Sequence, residues 1–187
     1  MKVVGISGSP RRGGNTEMLL DKVLEGAIGA GASVSKVILN DIDFKGCQEC
    51  GTCAPDGICK VKDEMQPVYE KIREADLIVI ASPIFFGTIS GQLKAMIDRF
   101  HASWVRKYIL KRREAGKPRK GIFLSVSGAD KIEFFENAKR IVKMFFNTLG
   151  IEYAGELFCG GLEGKGAVNQ KKEALDRAFE LGAASAK

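Results

Sequence analysis

Short apolar runs alternate with helical patterns along the whole chain, and this alternation limits the fold more than any other feature. It is typical of a parallel sheet covered by helices on both faces. We expect strands near residues 2–7, 33–39, 76–81, 119–126 and 151–158, and helices near residues 15–29, 63–74, 88–102, 131–148 and 168–184. The run Leu77–Ala81 is apolar throughout and suits the sheet centre, whereas Val34–Leu39 contains polar residues and suits an edge.

The length of 187 residues and the hydrophobic content of 45% fit one domain with a sizeable core. We therefore expect residues 1–187 to form a single domain, with a cysteine-containing loop at about residues 44–62. No run approaches the ~20 apolar residues of a membrane span. The first strand begins at Lys2, which leaves no room for a signal peptide. These features predict a cytoplasmic protein without a membrane partner.

The segment Gly5–Thr16 joins the first strand to the first helix and is rich in glycine and hydroxyl residues. Such a loop presents backbone N–H groups to a phosphate, and the dipole of the following helix adds positive charge. ATP or GTP hydrolysis is disfavoured, because Gly14 stands where a nucleotide-hydrolysing loop has its lysine and Asn15 where it has its magnesium-binding hydroxyl. A bound dinucleotide is disfavoured because the fingerprint G-x-G-x-x-G is absent. A terminal monophosphate, as in FMN, remains; the alternative is a turn that binds nothing. The predicted phosphate-binding residues are Ser7, Ser9, Arg11, Asn15 and Thr16.

The predicted sheet has five strands in the order 2-1-3-4-5, a flavodoxin-like architecture with three α/β/α layers. In such sheets a ligand binds at the carboxyl ends of the strands, where strands one and three meet. A proline and two adjacent aromatic residues follow strand three, which suggests a wall for a flat ring; alternatively, Phe85 and Phe86 are core or interface residues. The loop after strand four adds hydroxyls and a glycine. The predicted ring-binding residues are Pro83, Ile84, Phe85, Phe86, Gly87, Thr88, Ser127 and Gly128.

Four of the five cysteines fall within one short segment, with the spacing C-x2-C-x2-C-x5-C: Cys47, Cys50, Cys53 and Cys59. Four thiolates so close together are able to ligate one small metal centre. Compact C-x2-C-x2-C runs are typical of four-iron clusters, whereas structural zinc usually takes two C-x2-C pairs separated by a longer span. A loop without metal is the third possibility. The remaining cysteine, Cys159, is expected to be buried and inert.

The formal net charge is +6, and the excess is concentrated between residues 106 and 120. A solvated basic helix end and loop would explain this run. The functional alternative is a docking face for an acidic redox protein or for the phosphates of a nicotinamide cofactor. Nucleic acid is not expected, because only Trp104 and Tyr108 lie near these charges. The basic residues are Arg106, Lys107, Lys111, Arg112, Arg113, Lys117, Arg119 and Lys120.

The combination of these motifs resembles the iron–sulfur flavoproteins of anaerobic archaea and bacteria, a branch of the NADPH-dependent FMN reductase family. The resemblance rests on Gly8–Arg11 with Asn15 and Thr16, on Ser82–Gly87, on Lys94–Arg99, and on the four clustered cysteines. It implies one FMN and one [4Fe–4S] cluster per subunit. It also implies a homo-oligomer, dimer or tetramer, and electron exchange with ferredoxin-like donors.

Three functions follow from these observations. The first is electron transfer by FMN and a cluster between one-electron carriers and two-electron, small-molecule acceptors, with no catalytic side chain because the cofactors perform the chemistry. The second is an NAD(P)H-dependent reductase of FMN or quinones, in which the cysteine loop is structural or vacant. The third is an interaction module that binds zinc and no flavin. The first two are FMN-dependent oxidoreductases.

Overall fold

The computed structural model describes residues 1–112 and 117–187 of the chain. Its strands are β1 Lys2–Ser7, β2 Ser33–Ile38, β3 Leu77–Phe85, β4 Thr88–Ile89, β5 Arg119–Val126 and β6 Ile151–Cys159. Its α-helices are α1 Asn15–Gly29, α2 Met65–Glu74, α3 Gly91–Arg99, α4 His101–Trp104, α5 Ile132–Thr148 and α6 Lys172–Ser185. A π-helix spans Val105–Ile109, and 3-10 turns span Leu39–Asp41 and Ala167–Gln170.

The main strands form a parallel sheet in the order β2-β1-β3-β5-β6. Short β4 lies off this path and pairs antiparallel with the end of β3. The predicted flavodoxin-like order is therefore confirmed, with one added strand. The carboxyl end of β1 lies beside the middle of β3, since Ser7 is in register with Ala81 and β3 continues to Phe85.

Helices cover both faces of the sheet. Alternate residues of each strand point to opposite faces, and the apolar residues on each face pack against helices. Val4 and Ile78 face the core formed with α2, α3 and α5. Val3 and Leu77 face the core formed with α1 and α6. These side chains are at most 2% exposed, as expected for strands buried on both sides.

Helices α1 and α6 pack through two glycines. A Cβ atom on Gly26 would overlap the Phe179 carbonyl, and one on Gly182 would overlap the Val23 carbonyl. The backbones therefore approach more closely than any larger residue allows. None of the described helices has the length and apolar content that a membrane crossing requires.

The segment after β3 differs from the prediction of a loop followed by one helix over residues 88–102. Strand β3 continues to Phe85, and a two-residue turn leads into β4. Helix α3 begins only at Gly91, where the Ser90 hydroxyl accepts the Leu93 N–H. A serine side chain at this position replaces a missing helical partner and fixes the start of the helix.

Candidate functional site

The loop between β1 and α1 is fixed to the neighbouring strand segment by Ser90. The Gly8 N–H donates to the Ala81 carbonyl at 2.8 Å, and the Ser90 hydroxyl donates to the Gly8 carbonyl at 2.6 Å. The Ser90 N–H in turn donates to the Ser82 hydroxyl at 3.0 Å. Ser90 is fully buried, so this hydroxyl joins the predicted phosphate loop to the predicted ring loop. Sequence reasoning missed Ser90; its signal is a serine directly before the helix pattern that begins at Gly91.

The first N–H groups of any helix lack helical partners, and at the amino terminus of α1 no side-chain cap replaces these partners. Ser7 ends β1 beside it. The Ser7 side chain is 1% exposed, and its Oγ has no hydrogen-bond partner among the described residues. An unsatisfied buried hydroxyl is costly. A phosphate oxygen at this loop would satisfy the Ser7 hydroxyl and the helix N–H groups together.

The two arginines of the loop have different surroundings. Arg12 Nη1 lies 3.0 Å from Asp41 and 3.7 Å from the buried carboxylate of Glu17. Arg11 is exposed and forms no ion pair with a described residue. The charge of Arg12 is thus already compensated, and Arg11 is the cation available to a ligand.

Glu17 stabilises the loop from the first turn of α1. Its carboxylate accepts the Gly13 N–H at 2.7 Å and the Lys36 ammonium at 3.0 Å. Burial alone would raise the pKa of Glu17, but these two hydrogen bonds outweigh it and hold the pKa below its ordinary value. The carboxylate is therefore ionised and keeps the positive-φ turn at Gly13 in place.

The other predicted phosphate residues are all buried, but two of them use their side chains for other contacts. The Ser9 hydroxyl accepts the Arg11 N–H at 3.1 Å, within the loop itself. The Asn15 amide donates to the Gly164 carbonyl at 2.8 Å and accepts the Val168 N–H at 3.2 Å. The Asn15 side chain therefore holds the segment after β6, and its contact with a phosphate stays a prediction. Thr16 is 2% exposed in the first turn of α1.

The predicted ring loop is a tight hairpin between β3 and β4. Phe86 and Gly87 have φ values of 49° and 74°, as in the two-residue turns that match the twist of paired strands. Phe86 is fully exposed and Phe85 is 43% exposed. Thr88 Oγ1 is buried without a partner among the described residues. Pro83 and Ile84 are half-buried, so apolar surface and one free hydroxyl lie beside the phosphate loop.

The third predicted loop lies at the same sheet edge. Ser127 is 6% exposed, and its backbone bonds to Cys159 and Leu162 in the segment after β6. Gly128 is exposed and borders Glu163. The three loops therefore converge at the carboxyl ends of the strands, where a doubly wound sheet binds its ligand.

The four clustered cysteines line one small cavity of about 70 Å³ with Arg99 and His101. Cys47 and Cys50 are exposed, whereas Cys53 and Cys59 are half-buried, and all four are free thiols. The loop rests on α3 through Gly46, which packs against Ala95. It also rests on the π-helix, because Gly57 is so close to Arg106 that a Cβ atom would overlap it.

Arg99, at the end of α3, anchors this loop. It is 2% exposed, and its guanidinium contacts Asp63, the Lys45 carbonyl at 2.8 Å and the Cys59 sulfur at 3.5 Å. Burial alone would raise the pKa of Asp63, but the Arg99 hydrogen bond lowers it below the ordinary value. No local sequence signal indicates this role, since Arg99 is far from its partners along the chain.

The thiols differ in their electrostatic surroundings. The Thr52 hydroxyl and N–H lower the pKa of Cys50, and Cys50 Sγ lies 3.2 Å from Thr52 Oγ1. Burial and the neighbouring thiols raise the pKa of Cys53. Burial also raises the pKa of Cys159, which lies in the core beneath α6. Cys50 is thus more readily converted to a thiolate than Cys53 or Cys159.

The residues at the β1–α1 loop and the four clustered cysteines both fit the cofactors that the motifs imply. A buried free hydroxyl, an uncapped helix and an uncompensated arginine suit a phosphate, and four thiols facing one cavity suit a sulfur-ligated cluster. As placed, no three His, Cys, Asp or Glu side chains of residues 1–112 and 117–187 are close enough to hold a metal ion. The cysteines therefore share a cavity without being gathered to metal-binding distance.

The basic run lies at the opposite edge of the sheet. Arg106, Lys107, Arg112, Lys117 and Arg119 line a cleft of about 870 Å³, together with Arg73. Glu74 and Asp76 are its acidic lining residues within the described chain. Arg113 lies outside the described residues. A second cavity shares Arg73 and Arg106 with this cleft and is also lined by Cys59, so the cleft is adjacent to a cavity that borders the cysteine loop.

The fold first defines the class, a flavodoxin-like protein. An NAD(P)H:quinone oxidoreductase from Methanothermobacter marburgensis superposes with a TM-score of 0.74 at 19% identity, covering 98% of this chain and 94% of the other. A flavone reductase superposes with a TM-score of 0.74 at 22% identity, covering 100% of this chain and 62% of the other. At these identities the likeness concerns the fold.

Sequence similarity then defines the family. Residues 1–140 match the family described as NADPH-dependent FMN reductase. An "Iron-sulfur flavoprotein" of Archaeoglobus fulgidus is 35% identical over 149 residues, which are 80% of this chain and 73% of the relative. Another, from Methanosarcina thermophila, is 38% identical over 130 residues, 69% of this chain and 64% of the relative. The chain belongs to the NADPH-dependent FMN reductase family, as the resemblance of its motifs predicted.

The matched segment is shorter than several of these relatives. It spans 64%, 51% and 45% of the length of three iron–sulfur flavoproteins from Methanosarcina thermophila, Methanocaldococcus jannaschii and Archaeoglobus fulgidus.

Proposed function

We propose that this chain is an FMN-binding electron-transfer protein with a [4Fe–4S] cluster, acting between ferredoxin-like one-electron carriers and two-electron acceptors. Residues 1–187 would form the single FMN-binding domain. The observation that supports this most directly is the position of α3. Its capping residue Ser90 joins the two predicted FMN loops, and its last residue Arg99 anchors the four-cysteine loop. Nine helical residues span roughly 13 Å, so the two sites are neighbours.

The FMN phosphate would be held by Ser7, Arg11, Thr16 and the N–H groups at the start of α1. Ser7 supplies a desolvated hydroxyl, and Arg11 supplies a cation that no carboxylate has neutralised. Ser9 and Glu17 act indirectly because they fix the loop backbone. The hairpin at Phe85–Thr88 and the loop at Ser127 and Gly128 would position the ring.

The cluster would be held by Cys47, Cys50, Cys53 and Cys59. Arg99 keeps Cys59 beside the other three thiols and compensates negative charge there. When bound, the pair of cofactors couples one-electron to two-electron transfer, since a cluster exchanges one electron and a flavin one or two. The protein itself holds, orients and shields the two groups, so no side chain is assigned as a catalytic acid or base.

The partners follow from the surface. Because the basic cleft is adjacent to the cavity at Cys59 and shares Arg73 and Arg106 with it, it suits an acidic carrier protein of the ferredoxin type. The exposed aromatic side chains Phe86 and Trp104 support a homo-oligomer, since exposed apolar surface marks interaction sites.

The deciding experiment measures iron, acid-labile sulfide and FMN in protein purified without oxygen. The proposal expects four irons and four sulfides per FMN, the content of one cubane cluster. FMN without iron, even after reconstitution with iron and sulfide, would refute the cluster.

A second function is favoured by one observation, the match of residues 1–140 to the family described as NADPH-dependent FMN reductase. In that case the chain is an NAD(P)H-dependent reductase of FMN, quinones or another small acceptor, and the cysteine loop is structural. Rapid bleaching of the bound flavin by NADPH, in protein that retains no iron, would establish this function.

A further inference from the structure

The segment after β6 lies against the phosphate loop and is fastened to it by Asn15. The Asn15 amide donates to the Gly164 carbonyl at 2.8 Å and to the Leu162 carbonyl at 3.5 Å, and accepts the Val168 N–H at 3.2 Å. Asn15 is itself 8% exposed. Three hydrogen bonds from one buried side chain therefore fix residues 162–168 relative to the start of α1.

This attachment places a lysine beside the phosphate loop. A Cβ atom built on Gly13 would lie 3.7 Å from Lys165 Cε and 3.8 Å from Lys165 Nζ. The Lys165 side chain is exposed and pairs with no described carboxylate. Glu17, the acid nearest along the loop, is already bonded to Lys36 and to the Gly13 N–H. The Lys165 ammonium is thus an uncompensated charge next to Gly13.

We propose that Lys165 is a phosphate-binding residue that makes the site select FMN over riboflavin. This rests on the proposed function, in which the β1–α1 loop holds the FMN phosphate. A phosphate monoester has about two negative charges at neutral pH. Arg11 supplies one cation from the loop, while Arg12 is compensated by Asp41 and Glu17. Lys165 supplies the second cation from the segment after β6, and Asn15 positions that segment.

The test compares the affinities of flavin-free protein for FMN and for riboflavin, measured by quenching of flavin fluorescence. Lys165→Met should weaken FMN about tenfold, since a charge-assisted hydrogen bond to phosphate is lost. Its affinity for riboflavin should stay within about twofold of wild type, because riboflavin lacks the phosphate. Lys165→Arg should recover most of the FMN affinity.

Lys172→Met is the matched control, because Lys172 is an exposed cation at the start of α6 with no side-chain bond to a described residue. Its FMN affinity should equal that of wild type. An equal loss in both variants would reveal a general effect of net charge and overturn the role of Lys165. An unchanged ratio of FMN to riboflavin affinity in Lys165→Met would do the same.

Asn15→Ala tests the positioning role. It should lower FMN affinity about as much as Lys165→Met, and the double variant should lose no more than either single variant, since both changes act on one contact. Additive losses would show that Asn15 does not act through Lys165. If the wild-type protein binds neither flavin, the proposed function itself fails; if FMN binds well and only the Lys165 effect is missing, this inference alone fails.

Discussion

Arg99 Nη2 donates to the sulfur of Cys59 at 3.5 Å, while the same guanidinium pairs with Asp63. The last residue of α3 thereby connects the core helix to the cysteine loop. The loop contains two positive-φ glycines and an exposed Glu49 with φ 50°, so it depends on such outside contacts for its shape.

Replacing Arg99 by Met should therefore loosen the loop and destabilise the protein. The Asp63 carboxylate would remain partly buried without its partner, and breaking such a pair costs about 3–5 kcal/mol. Thermal unfolding and trypsin cleavage near Lys60 measure the two effects. Lys94→Met is the control, because Lys94 pairs with Asp98 on the exposed face of the same helix and contributes about 0.3–0.5 kcal/mol. Equal unfolding temperatures and an intact loop in both variants would contradict the anchoring role.

Replacing Ser7 by Ala should have opposite effects on stability and on FMN affinity. The flavin-free variant should be at least as stable as wild type, because an unpaired buried hydroxyl is removed. Its FMN affinity should fall by about tenfold, since a donor to the phosphate is lost. In the control Ser125→Ala, a hydroxyl bonded to the Ser82 carbonyl at 2.9 Å is lost, so the flavin-free protein itself should be less stable. Calorimetry measures the stability of each flavin-free variant, and flavin titration measures its FMN affinity. A large loss of flavin-free stability in Ser7→Ala would contradict the view that the Ser7 hydroxyl is unpaired without a ligand.

Replacing Cys50 by Ala should abolish the iron and sulfide content and leave bound FMN unchanged. Cys50 is one of four proposed ligands, whereas the FMN loops lie at the other end of α3. Cys159→Ala should retain iron, sulfide and FMN, because Cys159 is buried in the core away from the loop. Metal analysis with flavin absorbance measures all three. A full complement of iron in Cys50→Ala would exclude that ligand.

The contribution of Glu17 to stability should depend on pH. Its pKa is lower in the folded protein than the ordinary 4.5, so its stabilising effect is complete above that ordinary value and is lost as the pH falls through the folded value. Wild type should therefore exceed Glu17→Gln in stability at pH 7, and the difference should shrink below about pH 4.5. Urea unfolding across this range tests the sign. Glu25→Gln, at an exposed carboxylate paired only with Lys22, should show little difference at any pH.

Neutralising two arginines of the basic cleft should slow electron exchange with an acidic carrier protein. Arg73 and Arg112 line the cleft and form no ion pair with a described residue. The double change to Gln should lower the association rate about tenfold at low salt and flatten its salt dependence, because steering by charge is reduced. Changing Lys172 and Arg177 on α6 to Gln removes the same charge elsewhere and should leave the rate unchanged. Equal slowing in both double variants would contradict a specific docking face.

Much of the fold was predictable because strand and helix periods are local properties. The apolar run Leu77–Ala81 lies at the sheet centre, and Val34–Leu39 lies at an edge, as predicted. The β3–β4 hairpin was missed because its turn places Phe86 in a left-handed conformation, and phenylalanine is not a turn residue. The alignment of Gly57 against Arg106 also lay beyond sequence reasoning, since it depends on a close backbone approach between distant segments.

For the candidate site, the sequence predicts which loops meet at one edge of the sheet. The β1–α1, β3–β4 and post-β5 loops converge because parallel strands end at one edge. The roles within them were not predictable, since Ser90, Arg99 and Asn15 act on partners far away in sequence. For Asn15 the sequence predicts a phosphate contact, and the structure adds the bonds of its amide to the segment after β6.

The glycine contact between α1 and α6 has a consequence for biosynthesis. Helix α1 bears the phosphate loop at its amino end, yet the side of α1 that faces α6 remains uncovered until residues 172–185 have left the ribosome. A nascent chain thus completes its central strands before α6 packs on α1, and the proposed flavin site gains this support only after those strands are made.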